Sequence, residues 1–252
     1  MKREIYLDLL KKVLTNTLFS DEPDVTDEGQ HRFIAAFTTH YIRGPAVSML
    51  PIVRMNNIQH CVIDVVERGV PGDLIETGVW RGGATIFMRG ILKSLDVTDR
   101  KVWVADSFEG LPSPDPEKYP IEATAHQGAV MTKVFKHFSA GLEDVKNNFR
   151  AFGLLDSQVE FLKGWFCDTL PGAPIGSLAV MRLDGDYYES TMDGLTNLYD
   201  KLSVGGYVII DDYGEDDWTY CRKAVDEFRA ARGITDPLLT VDRCCSYWQR
   251  RD

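Results

Sequence analysis

The chain has 252 residues, 44% of them hydrophobic, with a formal net charge of −10. That gives room for one α/β domain with a sizeable core and argues against a basic, phosphate-seeking surface. No apolar stretch approaches the ~18 residues of a membrane span, and Met1-Lys2-Arg3 leads into an amphipathic segment rather than a signal peptide. Nucleic-acid and membrane partners are therefore not expected. Cys61, Cys167, Cys221, Cys244 and Cys245 are odd in number and lack CxxC spacing. The expectation is a reduced, cytoplasmic protein without a disulfide framework or structural zinc.

Residues 4 to 18 carry apolar side chains at helical spacing,. A polar stretch from Asp21 to Gln30 reads as a loop. Further helices are predicted near His31–Tyr41 and over Ser48–Arg68, the second stopped by Gly69. Residues 1–70 thus form a helical cap, with Met55 and Asn56 as weak pocket candidates. From residue 72 strands alternate with helices. The strands are Asp73–Thr77, Val102–Asp106, Val159–Lys163, an apolar run from Leu178, and Tyr207–Ile210. The helices are Thr85–Ser94, Leu142–Phe152, Thr191–Leu202 and Tyr220–Arg232. Leu238–Val241 and Cys244–Gln249 read as a terminal antiparallel pair. The pattern predicts a doubly wound sheet over residues 71–252, with its ligand at the carboxyl ends of the strands.

Chemistry-bearing residues fall at those ends. Glu76-Thr77-Gly78-Val79-Trp80-Arg81-Gly82-Gly83 follows the first strand. Glycines permit a tight turn close to a ligand, and the following helix start suits an anion. The spacing is neither that of a dinucleotide fold nor that of a phosphate loop. Asp106 ends the second strand, placed for ribose hydroxyls; a helix cap or an exposed loop acid is the alternative. Together with the glycine turn it favours an adenosine-type ligand. Glu109–Phe138 is long and holds Pro112, Pro114, Pro116 and Pro120, the character of a lid. His126 and His137 lie in it. Trp165 or Phe166 could face an adenine ring, with Asp168 accepting a hydrogen bond, although core packing is expected for at least one of the aromatics. Cys167 has no nearby His to make it a nucleophile.

The fourth strand runs into Asp184-Gly185-Asp186, and the fifth ends in Asp211-Asp212. Adjacent parallel strands would gather up to four carboxylates at one edge, an oxygen cluster suited to a hard divalent cation. Solvated helix caps are the alternative. An Asp-x-Asp also admits a nucleotide-sugar glycosyltransferase, which leaves Glu76–Gly83 and Asp211-Asp212 without a role. A non-catalytic scaffold has no need of a base beside a metal.

The ordered blocks Glu76–Gly83, Ala105–Pro112, Gly164–Pro171, Arg182–Asp186 and Ile210–Tyr213 closely resemble the macrocin O-methyltransferase family, over about residues 50 to 250,. The resemblance implies a Rossmann-like class I methyltransferase fold, usually in a homo-oligomer. It also implies S-adenosylmethionine and Mg²⁺ as cofactors and a sugar hydroxyl of a glycosylated antibiotic as acceptor. A catechol-type acceptor is the nearest rival. Asp184, Asp211 and Asp212 match the family's metal ligands, and Asp186 matches its proposed base, with His126 and His137 in reserve. The expected cofactor contacts are Glu76, Thr77, Gly78, Val79, Gly82 and Gly83 on the turn, Asp106 and Ser107 after the second strand, Trp165, Phe166 and Asp168 after the third, and Asp184 after the fourth.

Overall fold

The computed structural model describes residues 2–19, 46–120, 122–123, 139–214 and 219–252. The helix predicted near His31–Tyr41, most of the Glu109–Phe138 connection, and both His126 and His137 lie outside them.

Helix α1 (Lys2–Leu14) buries Leu7, Leu10 and Leu14, one face of a 3.6-residue period,. It ends four residues short of the predicted boundary, and Asn16 turns to φ 56°. Helix α2 (Ile52–Glu67) starts later than predicted because Pro51 is extended, at ψ 156°. A proline also disfavours helical backbone in the residue before it, Leu50. Met55 is fully buried in the core, and exposed Asn56 accepts a hydrogen bond from Lys11.

Five parallel strands follow: β1 (Asp73–Thr77), β2 (Val102–Asp106), β3 (Val159–Lys163), β4 (Leu178–Leu183) and β5 (Leu202–Ile210). Two short antiparallel strands, β6 (Leu239–Thr240) and β7 (Ser246–Gln249), close the sheet in the order β3-β2-β1-β4-β5-β7-β6. The strand order reverses between β1 and β4, the switch point where such sheets open a crevice. The helices between them are α3 (Gly83–Ser94), α4 (Leu142–Ala151), α5 (Phe166–Thr169), α6 (Tyr188–Leu198) and α7 (Thr219–Arg232).

Alternate residues of each strand serve opposite faces. Leu74, Val104, Val180 and Ile209 pack with α1, α2 and α3. Ile75, Trp103, Met181, Val208 and Ile210 pack with Leu195 and Leu198 of α6 and Val225 and Phe228 of α7. Helix α3 is buried from Gly83 to Leu92, because α1 and α2 cover the side that the sheet does not.

Boundaries around the acid-bearing turns and at the terminal pair differ from expectation as well. Helix α6 begins directly behind the Asp184–Asp186 turn. A single 3₁₀ turn, Tyr199–Lys201, then feeds β5 without a loop, so β5 starts at Leu202. The terminal pair is shorter, because Asp242 draws the Cys244 and Cys245 N–H groups into a turn, at 2.9 and 2.8 Å.

Arg89 of buried α3 forks onto Asp156 ahead of β3, at 3.0 and 2.6 Å. That hydrogen bond holds the Asp156 carboxyl below its ordinary value of 3.8. A depressed acid stabilises the fold above its unfolded pKa, and the contribution is lost as pH falls through the folded value. Asp156→Asn is expected to lower the melting temperature at pH 7 by about 2–4 °C, roughly 1 kcal/mol for a partly exposed acid. The gap to wild type should close only below pH ~3.8. Thermal unfolding from pH 7 to 3 measures both.

Candidate active site

Arg182 organises the site. It lies on β4, every residue of which is buried. A charge there must meet opposite charge. Glu76 is its register partner on β1, and Ile209 its partner on β5, two residues before Asp211. The guanidinium therefore faces acids from both neighbouring strands. Nη1 donates to Glu76 Oε1 and, at 2.8 Å, to Asp184 Oδ2, while Nη2 donates to Asp211 Oδ1. Arg54 reaches in from α2: its Nη1 donates to Asp211 Oδ2 at 2.6 Å, and Nε and Nη2 fork onto Asp242 at 2.6 and 3.1 Å.

Asp184 also belongs to a second group of acids beside this row. Carboxylate oxygens of Asp184, Asp186 and Asp212 lie within 4.8 Å of one another. Asp212 Oδ2 is buried with no hydrogen-bond partner, as is Glu76 Oε2. Asp186 takes a left-handed backbone, φ 60°, which Asp tolerates better than most residues. Burial pushes Asp184 up to about 6, with the Asp211 charge adding and Arg182 opposing. Burial and the neighbouring acids push Asp186 and Asp212 well above the ordinary carboxylate range. Burial likewise pushes Glu76 up to about 8, against the pull of Arg182. Three carboxylates this close, two of them half-buried and Asp212 buried, cannot all ionise unaided,. A divalent cation 2.0–2.6 Å from each oxygen would relieve them, and the spacing fits one.

The structure brings the predicted acids together. Asp184, Asp186, Asp211 and Asp212 do converge after β4 and β5. Asp211, however, gives one oxygen to each arginine, and it is Asp186 that stands with Asp184 and Asp212. The turn glycines face protein rather than open space. A Cβ on Gly78 would lie 1.8 Å from the Asp184 carbonyl oxygen, and one on Gly83 would lie 2.6 Å from Val47 O. Val79 is buried, and Thr77 Oγ1 is buried without a hydrogen-bond partner.

Asp106 clasps the turn. Oδ2 accepts from Val79 N (2.8 Å) and Trp80 N (3.3 Å), Oδ1 from Phe108 N (2.7 Å) and Ser107 Oγ (3.4 Å). It is neither a helix cap nor an exposed loop acid. Ser107 Oγ also donates to Gly110 O at 2.8 Å, shaping the start of the long connection. Trp165 is 38% exposed, Phe166 packs on the second core, and Asp168 is exposed. Burial with Asp168 and Asp193 raises the Cys167 thiol, so it is no thiolate.

Sequence reasoning missed Arg182, Arg54, Asp242 and Glu122. Arg182 carried a signal, being one cation inside an apolar run ahead of Asp-Gly-Asp. Arg54 and Asp242 carried none, since their partners lie 157 and 188 residues away from Arg54. Glu122, from the long connection, accepts from Tyr188 N at 3.0 Å, at the start of α6.

Residues 3–250 match the macrocin-O-methyltransferase (TylF) family. Demethyldecarbamoylnovobiocin O-methyltransferase of Streptomyces niveus is 49% identical over 251 residues, covering 98% of this chain and 93% of that protein. The 8-demethyl-8-(2,3-dimethoxy-alpha-L-rhamnosyl)-tetracenomycin-C 4'-O-methyltransferase of Streptomyces olivaceus is 47% identical over 252 residues, with 98% and 93% covered. The solved O-methyltransferase NovP superposes with a TM-score of 0.85 at 47% identity, spanning 99% of this chain and all of that one. The fold is therefore the class I, Rossmann-like methyltransferase fold, and the Asp-x-Asp is not that of a glycosyltransferase. With the match running from α1 through the terminal hairpin, the chain belongs to the macrocin O-methyltransferase family.

Proposed function

We propose that this enzyme transfers a methyl group from S-adenosylmethionine to a sugar hydroxyl of a glycosylated natural product, assisted by one divalent cation, Mg²⁺ in the first instance. The observation that carries the reading is the convergence of Asp184, Asp186 and Asp212, whose pKa values burial and the neighbouring acids raise. The relatives, by their names, act on antibiotic intermediates, one of them bearing a rhamnosyl group.

Asp184 and Asp212 hold the cation. By family resemblance Asp211 is the third ligand, through lone pairs that its two arginines leave. The cation supplies acidification and orientation of the acceptor hydroxyl. Asp186 then takes the hydroxyl proton. An ordinary carboxylate is a feeble base toward an alcohol, and desolvation strengthens it. Glu76 Oε2 offers an acceptor to the ammonium of S-adenosylmethionine, and exposed Trp165 a face to its adenine. The two longer contacts of Asp106 are those a ribose could replace. The long connection is read as a lid. Its described root docks where Tyr119 stacks on Tyr188, ring centroids 5.3 Å apart. Residues 1–70 act as a cap on the 71–252 unit. Outward-facing Ile5, Leu9 and Val13 on α1 support a homo-oligomer. No described helix is long and apolar enough to cross a membrane.

Labelled S-adenosylmethionine with Mg²⁺ and a panel of glycosides and catechols tests the reading. Label should enter a sugar and stop entering on chelation. Transfer to catechols alone, or full transfer in excess chelator, would sink it. Asp186→Asn should retain S-adenosylhomocysteine binding while turnover falls about 10²- to 10⁴-fold. Near-normal turnover would remove Asp186 from the mechanism.

A further inference from the structure

We propose that Arg54 is a positioning residue, which fixes the Asp211 carboxylate for cation binding and is itself fixed by Asp242. The inference rests on the cation reading above. Asp211 is buried, with 8% of its side chain exposed, so solvent is a poor substitute for a lost partner. Arg182 secures Oδ1 from within the sheet, and Arg54 secures Oδ2 from outside it.

What aims Arg54 is a chain of fixed groups. The backbone N–H groups of Cys244 and Cys245 hold Asp242 Oδ1 in the β6–β7 turn. Asp242 accepts from Nε and Nη2 together, which fixes the plane of the guanidinium. Only Nη1 is left to meet Asp211, and it does so at 2.6 Å. The side chains of Arg54, Asp211 and Asp242 are 13%, 8% and 10% exposed, so the chain of contacts is shielded from water. A helix near the amino terminus and a hairpin near the carboxyl terminus are thereby wired to one carboxylate. The planar guanidinium holds Asp242 through two donors and Asp211 through a third, and a lysine ammonium lacks that fixed fork,.

A residue that merely ties α2 to the hairpin would affect stability and leave cation affinity alone. Partners that orient metal ligands typically change affinity by about 10- to 100-fold when altered. Arg54→Lys keeps the charge and loses the fork. Calorimetric titration with Mn²⁺, without S-adenosylmethionine, should show its dissociation constant raised by that factor, with circular dichroism reporting an intact fold. Asp242→Asn frees the guanidinium plane while leaving the charge, and should shift Mn²⁺ affinity the same way by a smaller factor. A folded Arg54→Lys whose affinity stays within roughly threefold of wild type would overturn the proposal. If Arg54→Lys fails to fold, wild-type affinity in Asp242→Asn would overturn it instead. Wild-type affinity in Asp211→Asn points elsewhere: Asp211 is then no ligand, and the cation reading fails in that part and takes this proposal with it.

Discussion

Arg182→Met is expected to destabilise the fold by about 3–5 kcal/mol, the cost of removing one partner from a buried ionic cluster. Methionine roughly preserves the volume, so the loss comes from charge rather than from a cavity. The guanidinium is 1% exposed and serves Glu76, Asp184 and Asp211 together. Without it Glu76 keeps no described cation, and Asp211 retains only Arg54. The pH dependence should change as well. Glu76 and Asp184 already stand raised, at about 8 and 6, and losing Arg182 raises both further. An acid whose folded pKa lies above its unfolded one makes the folded state bind more protons. Stability then falls as pH rises from about 4 through the folded pKa. The variant should thus be closest to wild type near pH 5 and furthest from it near pH 8. Urea unfolding at both values tests this. Equal losses at pH 5 and pH 8 would show that Arg182 acts by packing rather than by charge. Adding Glu76→Gln should recover part of the loss, because it removes one of the stranded acids.

The fold was legible because its signals are local. Runs such as Asp73–Thr77 and Leu178–Leu183 are short, apolar and separated by amphipathic segments, which is what a sheet covered on both faces demands. Boundaries were less legible where tertiary contacts decide them. The start of α6 depends on the left-handed turn at Asp186, a conformation its residue type does not announce, and on Glu122, which lies far from Tyr188 in the chain. Within the site, the four aspartates could be read from two strand ends. Which of their oxygens the arginines hold could not, because Arg54 arrives from a helix far away in the chain. Arg182 was in plain view inside a buried run. Arg54 sits on a helix whose pattern says only that one face is buried, and its partners are fixed by the path of the chain at both ends. The glycine turn was legible as a place of close backbone approach; that its small residues also let protein segments touch each other was not, because Asp184 and Val47 lie far from it in the chain.

That close approach makes Gly78→Ala the most damaging small substitution expected. Two costs combine. Gly78 has φ +83°, where an L side chain is strained by about 1–2 kcal/mol,. A Cβ would also lie 1.8 Å from the Asp184 carbonyl oxygen, which is backbone and cannot rotate away. Either the β1 turn or the β4 turn must therefore move by roughly 1 Å or more. The second carries Asp184 and Asp186, so the displacement passes straight to the acid cluster. The two turns are already tied, with Asp184 N donating to Thr77 O at 2.9 Å, and that bond breaks if they part. A 1 Å misplacement of reacting groups can cost about 10²-fold in rate. Gly153→Ala provides the control. It has a similar φ of +63°, with nothing within 4 Å of the added carbon. It should lose the strain energy alone and keep full transfer activity. Melting temperature and kcat/KM measured on both variants separate the two costs. Should Gly78→Ala lose no more activity than Gly153→Ala, the contact between the two turns is not what sets the geometry of the acids.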